Sequence, residues 1–169
     1  MDLLERITQY LQQQELKLIT AESCTAGLIV SELARVPGSG QSIDSGLAVY
    51  SPEAKNRYLS VSFETIDQYG LTSEETSREM ARGSLKHSDA NVSVANTGIA
   101  GPEPQDEIPV GTVCFAWAFR HEQKTYLATE TRRFPGERND VRLAAAHYAL
   151  ENIPVLHRQM LEGNLPIDE

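Results

Sequence analysis

The sequence predicts an α/β fold of three layers, in which helices cover both faces of a mixed parallel and antiparallel sheet. Two observations predict it. Apolar, β-branched runs alternate with stretches of helical periodicity in the first hundred residues, as is typical of parallel strands joined by helices. Two alternating runs follow, 110–119 and 124–134, and the short polar segment between them indicates an antiparallel hairpin.

Each element is assigned from its apolar periodicity and from the residues that start or stop it. Ser51 is an N-cap followed by proline, and Thr72 with Glu75 forms a capping box. Pro154 is expected to break the last long helix. In chain order we predict helix 2–14, strand 17–21, a helix from Ala26, strand 43–50, a helix from Pro52, helix 63–69 closed by Gly70, a helix from Thr72 to Lys86, strand 91–96, strands 110–119 and 124–134, and helix 137–151.

Length and composition describe one acidic domain. The chain has 169 residues, and we expect a single domain over 1–162 with a frayed tail over 163–169. The formal net charge of −9 would repel nucleic-acid phosphates and anionic membranes, so neither partner is expected. With two unpaired cysteines, no apolar run long enough to span a bilayer and no signal peptide, we expect a cytoplasmic protein.

The stretch from Leu18 to Gly27 carries the candidate chemistry. It runs from a buried strand through a polar turn, residues 22–25, into a helix. Unpaired N–H groups at a helix start favour an anion, or a serine whose attack on a carbonyl creates one. The alternative is that Ser23 or Thr25 only caps the helix. These residues alone leave both interpretations open.

Other polar side chains follow the next predicted strands. Tyr50 and Lys55 come after the second strand, Thr97 after the third, and Arg138 begins the last long helix. Parallel strands would bring Ser23, Tyr50 and Thr97 to one crevice, where open α/β sheets bind ligands. A lysine desolvated near other cations can lose its proton and activate a serine without histidine. Taken singly, each residue also fits a strand end or a solvated helix surface.

The turn after the third predicted strand and the loop beyond it are the segments expected near a ligand's phosphate. Gly98 and Gly101 allow the backbone to approach a phosphate closely. The loop 103–109 is acidic, and we expect it to be mobile. The four histidines show no metal-ligand spacing with one another or with the cysteines, so no metal site is expected.

Three motifs resemble the CinA C-terminal domain family, the standalone nicotinamide-nucleotide amidohydrolases. They are Ala21–Gly27, Tyr50–Lys55, and Thr97–Pro102 followed by Pro109–Val113. The resemblance extends from the first helix through Arg138. It implies hydrolysis of the carboxamide of nicotinamide mononucleotide (NMN) to nicotinate mononucleotide and ammonia. The reaction would serve pyridine-nucleotide salvage and would need no cofactor.

The resemblance also implies a role for each matched residue. Ser23 would attack the amide carbon while Lys55 takes its proton, and Tyr50 would relay or position that proton. The oxyanion would lie against backbone N–H groups near Cys24 and Thr25. Ribose and phosphate would be held by Thr97, Gly98, Gly101 and Arg138. We therefore predict a distance of about 2.6–3.2 Å between Ser23 Oγ and Lys55 Nζ.

Three positions depart from the family's pattern. Ala26 stands where the family has glycine, and its methyl would either crowd the turn or be harmless if its φ were helical. Pro52 replaces an asparagine, and the acidic segment 103–108 replaces a longer, glycine-rich loop. The alternatives are therefore a catalytically silent paralogue that binds a nucleotide-like ligand or a partner, and a related amidase with another substrate. The alternating aromatic hairpin suggests an edge for a homodimer or larger assembly.

Overall fold

The computed structural model describes residues 1–168. These residues form a five-stranded sheet with helices on both faces, so the predicted α/β fold is confirmed. The strands are β1 (Leu18–Glu22), β2 (Ile43–Ala48), β3 (Val92–Gly98), β4 (Thr112–His121) and β5 (Lys124–Arg133). The helices are α1 (Leu3–Gln13), α2 (Leu28–Ala34), α3 (Pro52–Leu59), α4 (Phe63–Tyr69), α5 (Glu74–Lys86) and α6 (Arg138–Leu161).

The sheet order is β2-β1-β3-β4-β5. β1 lies between β2 and β3 and is parallel to both, whereas β4 and β5 are added antiparallel. The three parallel strands therefore end at the same edge of the sheet. Because the chain leaves that edge at residues 23, 49 and 99, the three turns that follow these strands are brought together.

Two apolar cores separate the layers. On one face, α1, α2 and α6 cover side chains such as Leu18, Val94 and Trp117. On the other face, residues of α3 and α5 cover the alternate positions of the same strands, for example Ile19 and Ala95. Gly83 lets α5 approach α3 closely, because a Cβ there would overlap the carbonyl oxygen of Leu59.

The aromatic hairpin is internal. Phe115, Trp117 and Phe119 of β4 are almost fully buried, and Trp117 Nε1 donates a hydrogen bond to the carbonyl of Ala149 in α6 at 2.9 Å. The predicted loop 120–123 is shorter than expected, since both strands extend to a two-residue turn at 122–123. These aromatic side chains pack beneath α6, whereas β5 forms the outer edge of the sheet, so the oligomer expected at this hairpin stays a prediction.

Two predictions about helix ends are wrong. Ser73, not Thr72, caps α5, because its hydroxyl accepts from the backbone N–H of Thr76. Pro154 lies inside a continuous α6 of 24 residues. An internal proline costs about 3 kcal/mol, but α6 buries apolar side chains on both sides of it, each stabilising by about 1.5–3 kcal/mol. Burial of Leu150, Ile153 and Met160 therefore outweighs the tendency of Pro154 to end the helix.

Most of the predicted frayed tail, residues 163–168, is ordered against the sheet, and Glu169 lies outside the described residues. The backbone N–H of Leu127 donates to Pro166 O, and the N–H of Asp168 donates to Thr125 O. The carboxylate of Asp168 also accepts two hydrogen bonds of 2.7 Å from the guanidinium of Arg82. The tail thus covers the start of β5, an edge strand whose outer backbone N–H and C=O groups would otherwise have no partner in the sheet.

Candidate active site

A cavity of about 280 Å³ opens where the parallel strands end. Its lining comes from the turns after β1, β2 and β3, from the acidic loop and from the start of α6. Of the residues predicted for the site, Ser23, Cys24, Tyr50, Thr97, Gly98, Gly101 and Arg138 line it. Thr25 is buried behind the lining, and Lys55 reaches it only through Ser23.

Lys55 and Ser23 form the central contact. Lys55 lies in the first part of α3, and its side chain is completely buried. Its Nζ is 2.9 Å from Ser23 Oγ, within the range that the sequence predicted. It also lies 2.8 Å from the carbonyl oxygens of Val49 and Tyr50. These three oxygens thus account for all three hydrogen-bonding positions of the lysine nitrogen.

Burial lowers the pKa of Lys55 to about 8, from an ordinary value of 10.5. A neutral amine has two N–H donors and one lone pair. The two carbonyl oxygens accept the two N–H groups, so the lone pair is directed at the hydroxyl of Ser23. About one tenth of the lysine is therefore neutral at pH 7, and this amine is already hydrogen-bonded to the hydroxyl that it would deprotonate.

Tyr50 does not lie between the serine and the lysine. Because Ser23 Oγ and Lys55 Nζ touch directly, the geometry has no place for the proton relay expected of Tyr50. The side chain is 54% exposed, and its hydroxyl accepts from Arg138 Nη2 at 3.2 Å. Tyr50 acts on the lysine through its backbone carbonyl and on the cavity through its phenol.

The carboxylate of Glu22 occupies the start of α2. The residue ends β1 and is fully buried. Neither Ser23 nor Thr25 caps the helix, and Gly27 stands at the N-cap without a side chain to do so. Five donors share the Glu22 carboxylate: the hydroxyls of Thr20 and Thr25 and the backbone N–H groups of Gly27, Ile29 and Val30, at 2.7–3.2 Å. The positive end of this helix is thus neutralised by the chain itself.

Asn96 holds the same turn from β3. Its Nδ2 donates to Thr25 Oγ1 at 2.7 Å, and its Oδ1 accepts from the N–H of Ser23 at 3.4 Å. Sequence reasoning assigned no role to Glu22 or Asn96. The signal in the sequence was that each is a polar residue near the end of an otherwise apolar strand. Together they fix the turn that carries Ser23.

Two backbone donors in this turn are free. Within residues 1–168, the N–H groups of Cys24 and Thr25 have no protein acceptor, whereas the next N–H, that of Ala26, donates to Ser23 O. These are the positions where an oxyanion was expected. Cys24 lines the cavity, but its thiol is buried, which raises the thiol pKa to about 12, so it remains protonated at neutral pH. The hydroxyl of Ser23 is therefore the better placed nucleophile.

Ala26 is left-handed, with a φ of 50°. The φ is not helical, so the condition under which its methyl group would be harmless is not met. The residue is exposed and does not line the cavity. An L-residue in this conformation costs about 1–2 kcal/mol relative to glycine, which explains why glycine suits the position.

Ala26→Gly is therefore expected to stabilise the fold. Glycine removes the strain of the left-handed conformation, but it also raises the conformational entropy of the unfolded chain, which offsets part of the gain. We therefore expect the free energy of unfolding to rise by about 0.5–1 kcal/mol. Urea unfolding followed by circular dichroism measures it. Glu15→Gly is the matched control, since Glu15 is also left-handed but lies far from the turn, and it should gain a similar amount. A loss of stability in Ala26→Gly alone would contradict this account.

The other two departures affect the cavity differently. Pro52 is the first residue of α3 and does not line the cavity, and the contacts of Lys55 are complete without an asparagine there. The acidic loop forms a turn in which the N–H of Ile108 donates to Gln105 O at 2.8 Å. This turn brings Asp106 to the cavity.

The predicted ligand-binding residues line the same cavity as the serine. Thr97 belongs to β3 rather than to the turn after it, and its hydroxyl donates to Leu71 O at 3.0 Å. Arg138 Nη1 donates to the carbonyl of Gly101. Gly101 has a φ of 103°, and a Cβ there would lie 2.7 Å from Val110. Arg138 is the positively charged residue among those that line the cavity.

Within residues 1–168, no three His, Cys, Asp or Glu side chains lie close enough together to hold a metal ion. No helix of the described chain is both long and apolar enough to cross a membrane.

The sequence profile of the CinA C-terminal domain family matches residues 1–156. The chain belongs to this family. Other CinA proteins have the same fold. The solved structure of competence/damage inducible protein CihA from Agrobacterium tumefaciens is 38% identical, with a TM-score of 0.83 over 92% of this chain and 93% of that one. A CinA superfamily protein from Escherichia coli is 35% identical, with a TM-score of 0.83 over 91% of this chain and 88% of that one.

Curated CinA relatives are of two lengths. Protein YdeJ of Escherichia coli is 35% identical over 157 residues, which cover 90% of this chain and 89% of YdeJ. The CinA-like protein of Akkermansia muciniphila is 41% identical over 145 residues, but these are 85% of this chain and 34% of that protein. The chain thus spans about a third of the longer relatives it matches.

Proposed function

We propose that this CinA-family chain is a cytoplasmic amidohydrolase that converts NMN to nicotinate mononucleotide and ammonia. The observation that carries the proposal is the 2.9 Å contact between Ser23 Oγ and a buried Lys55 Nζ whose pKa is lowered to about 8. The contact lies behind a cavity whose lining includes glycine backbone and an arginine. A nucleophile, its base and a binding space are thus in one place.

The reaction proceeds in two halves. The Lys55 amine takes the proton of the Ser23 hydroxyl as the oxygen attacks the carboxamide carbon. The resulting oxyanion accepts hydrogen bonds from the free N–H groups of Cys24 and Thr25. When the carbonyl reforms, the C–N bond breaks and Lys55 returns its proton to the leaving amine, giving ammonia and an acyl-serine. Lys55 then deprotonates a water that hydrolyses the ester and restores Ser23.

The substrate's phosphate requires a local cation because the protein is acidic overall. Arg138 is already held by Gly101 and Tyr50 and keeps further N–H donors for a phosphate. The hydroxyl of Thr97 and the backbone at Gly98 offer contacts to the ribose. No cofactor takes part in this scheme.

Ammonia release from NMN by the purified protein tests the proposal. We expect steady release by the wild type and a loss of at least about 10³-fold in Ser23→Ala, because the acyl-serine cannot form. Ser51→Ala is the matched control, since Ser51 is an exposed N-cap whose loss costs stability of about 1 kcal/mol but no chemistry. Equal background rates for wild type and Ser23→Ala would reject the proposal for this substrate.

A silent, ligand-binding paralogue is the second candidate. The observation that favours it is the Asp106 side chain in the cavity lining, since a carboxylate there repels a phosphate. If NMN is bound but not hydrolysed, the melting temperature of the wild type will rise with NMN concentration while no ammonia is formed. If NMN causes no shift at millimolar concentration, this second candidate is rejected for NMN.

A further inference from the structure

A second arginine of α6, Arg142, lies behind the turn that carries Ser23. Its Nε donates to the carbonyl of Cys24 at 3.0 Å, and its Nη2 donates to the carbonyl of Thr25 at 3.1 Å. Asn139, in the preceding turn of the helix, accepts from Nη1 at 3.2 Å and so fixes the remaining side of the guanidinium. Within residues 1–168, no carboxylate forms a salt bridge with Arg142. Its charge is therefore directed at two successive peptide carbonyls.

The carbonyl of Cys24 belongs to the peptide of one free donor, the N–H of Thr25. The carbonyl of Thr25 belongs to the next peptide, whose N–H, that of Ala26, already donates to Ser23 O. The carbonyl of Cys24 and the N–H of Thr25 are the two ends of one peptide unit, and in a trans peptide they point in opposite directions. Holding the carbonyl therefore fixes the direction of the N–H. A cation at the carbonyl also polarises the peptide and strengthens the N–H as a donor. Arg142 contacts the carbonyls of Cys24 and Thr25 at the same time because its Nε and Nη2 donors form a rigid fork.

We propose that Arg142 is a positioning residue that orients and polarises the Cys24–Thr25 peptide as an oxyanion donor. The inference rests on the proposed amidohydrolase function. Arg142 is distinct from Arg138, which lies in the cavity lining, because Arg142 does not line the cavity and acts through the backbone. Its removal weakens the transition state, in which the oxyanion exists, more than it weakens substrate binding.

Steady-state kinetics with NMN tests the role. For Arg142→Gln we expect kcat to fall about 30-fold with KM unchanged within about two-fold, since one oxyanion donor is worth about 10²–10³ when lost outright. The pH at which activity rises should stay near that of the wild type, because the contacts of Lys55 are untouched. Arg142→Lys, which keeps the charge but not the fork, should recover part of kcat.

The control is Arg158→Gln, in the same helix. Arg158 is exposed and stacks over the ring of Tyr10, far from the turn, so its kcat should equal that of the wild type. The proposal is overturned if Arg142→Gln keeps a kcat within about two-fold of the wild type. It is also overturned if the variant loses activity only through KM. Should Arg142→Gln fail to fold, Arg142→Lys alone decides by the same criteria.

The reactivity of the Cys24 thiol separates failure of this inference from failure of the proposed function. Loosening the turn should expose the thiol, so alkylation by iodoacetamide, followed by peptide mass spectrometry, should be at least five-fold faster in Arg142→Lys, which loses the fork but keeps the positive charge that lowers the pKa of the Cys24 thiol. Cys114, buried in β4, is the internal control and should react at an unchanged rate. If the wild type does not hydrolyse NMN, the proposed function fails. An unchanged Cys24 rate then overturns the positioning role as well, whereas a selective increase supports it.

Discussion

Lys55→Met is expected to lower the rate of NMN deamidation by about 10³-fold or more. Methionine has a similar length and fits a fully buried position, but it cannot accept a proton. Ammonia release under single-turnover conditions measures the chemical step directly. Lys86→Met is the matched control, because Lys86 is exposed in the last turn of α5. Its rate should match that of the wild type.

We expect the same lysine to set the pH dependence of the wild type. The base is the neutral amine, so kcat/KM should rise with pH, pass its half-maximum near pH 8 and level off above it. The pKa is lowered because burial disfavours the charged form, and the active fraction at pH 7 is about one tenth. A rate that is flat between pH 6 and 9, or a Lys55→Met variant with more than about a tenth of wild-type activity, would rule out Lys55 as the base.

Glu22→Gln is expected to destabilise the fold by about 3 kcal/mol. The substitution keeps the size of the side chain but replaces one acceptor oxygen with an NH₂ group, which faces donors from Thr20 and Val30. Buried donors left without an acceptor cost about 1–3 kcal/mol each. For a chain of this size the melting temperature should fall by about 10 °C, which calorimetry measures.

Glu53→Gln isolates the role of burial in this effect. Glu53 also lies at a helix start, in the first turn of α3, but it is exposed. The favourable interaction of a carboxylate with a helix start is worth about 0.3–1 kcal/mol, so its loss should shift the melting temperature by only a few degrees. Equal losses for the two variants would mean that Glu22 acts only through the helix dipole and does not hold the turn.

Much of the site could be predicted because its residues follow parallel strands. Ser23 and Thr97 stand at the ends of two apolar runs, and the helical segments between those runs predict parallel pairing. Lys55 and Arg138 also follow predicted strands, but their individual patterns fit ordinary surface residues equally well, and the resemblance to CinA proteins assigned them roles. Neither argument could identify the role of Tyr50, because whether its hydroxyl or its carbonyl faces Lys55 depends on backbone direction.

The residues that hold the turn could not be predicted. Asn96 and Arg142 contact the turn from positions more than 70 residues away in the chain, and nothing in their local sequence indicates this. Glu22 contacts only near neighbours, but a glutamate at a strand end ordinarily faces water. Its burial follows from the layers above and below β1. The course of α6 through Pro154 likewise depends on packing that local propensity does not include.

The sequence by itself determined the order of strands and helices, the parallel half of the sheet and the edge at which its polar turns meet. Periodicity and turn residues encode these features locally. Only the tertiary structure decided that burial lowers the pKa of Lys55, that Glu22 rather than a ligand occupies the start of α2, and that two backbone N–H groups in the described chain remain free. Proton affinity and hydrogen-bond satisfaction depend on which distant groups exclude water from a site, and that exclusion exists only once the layers have packed.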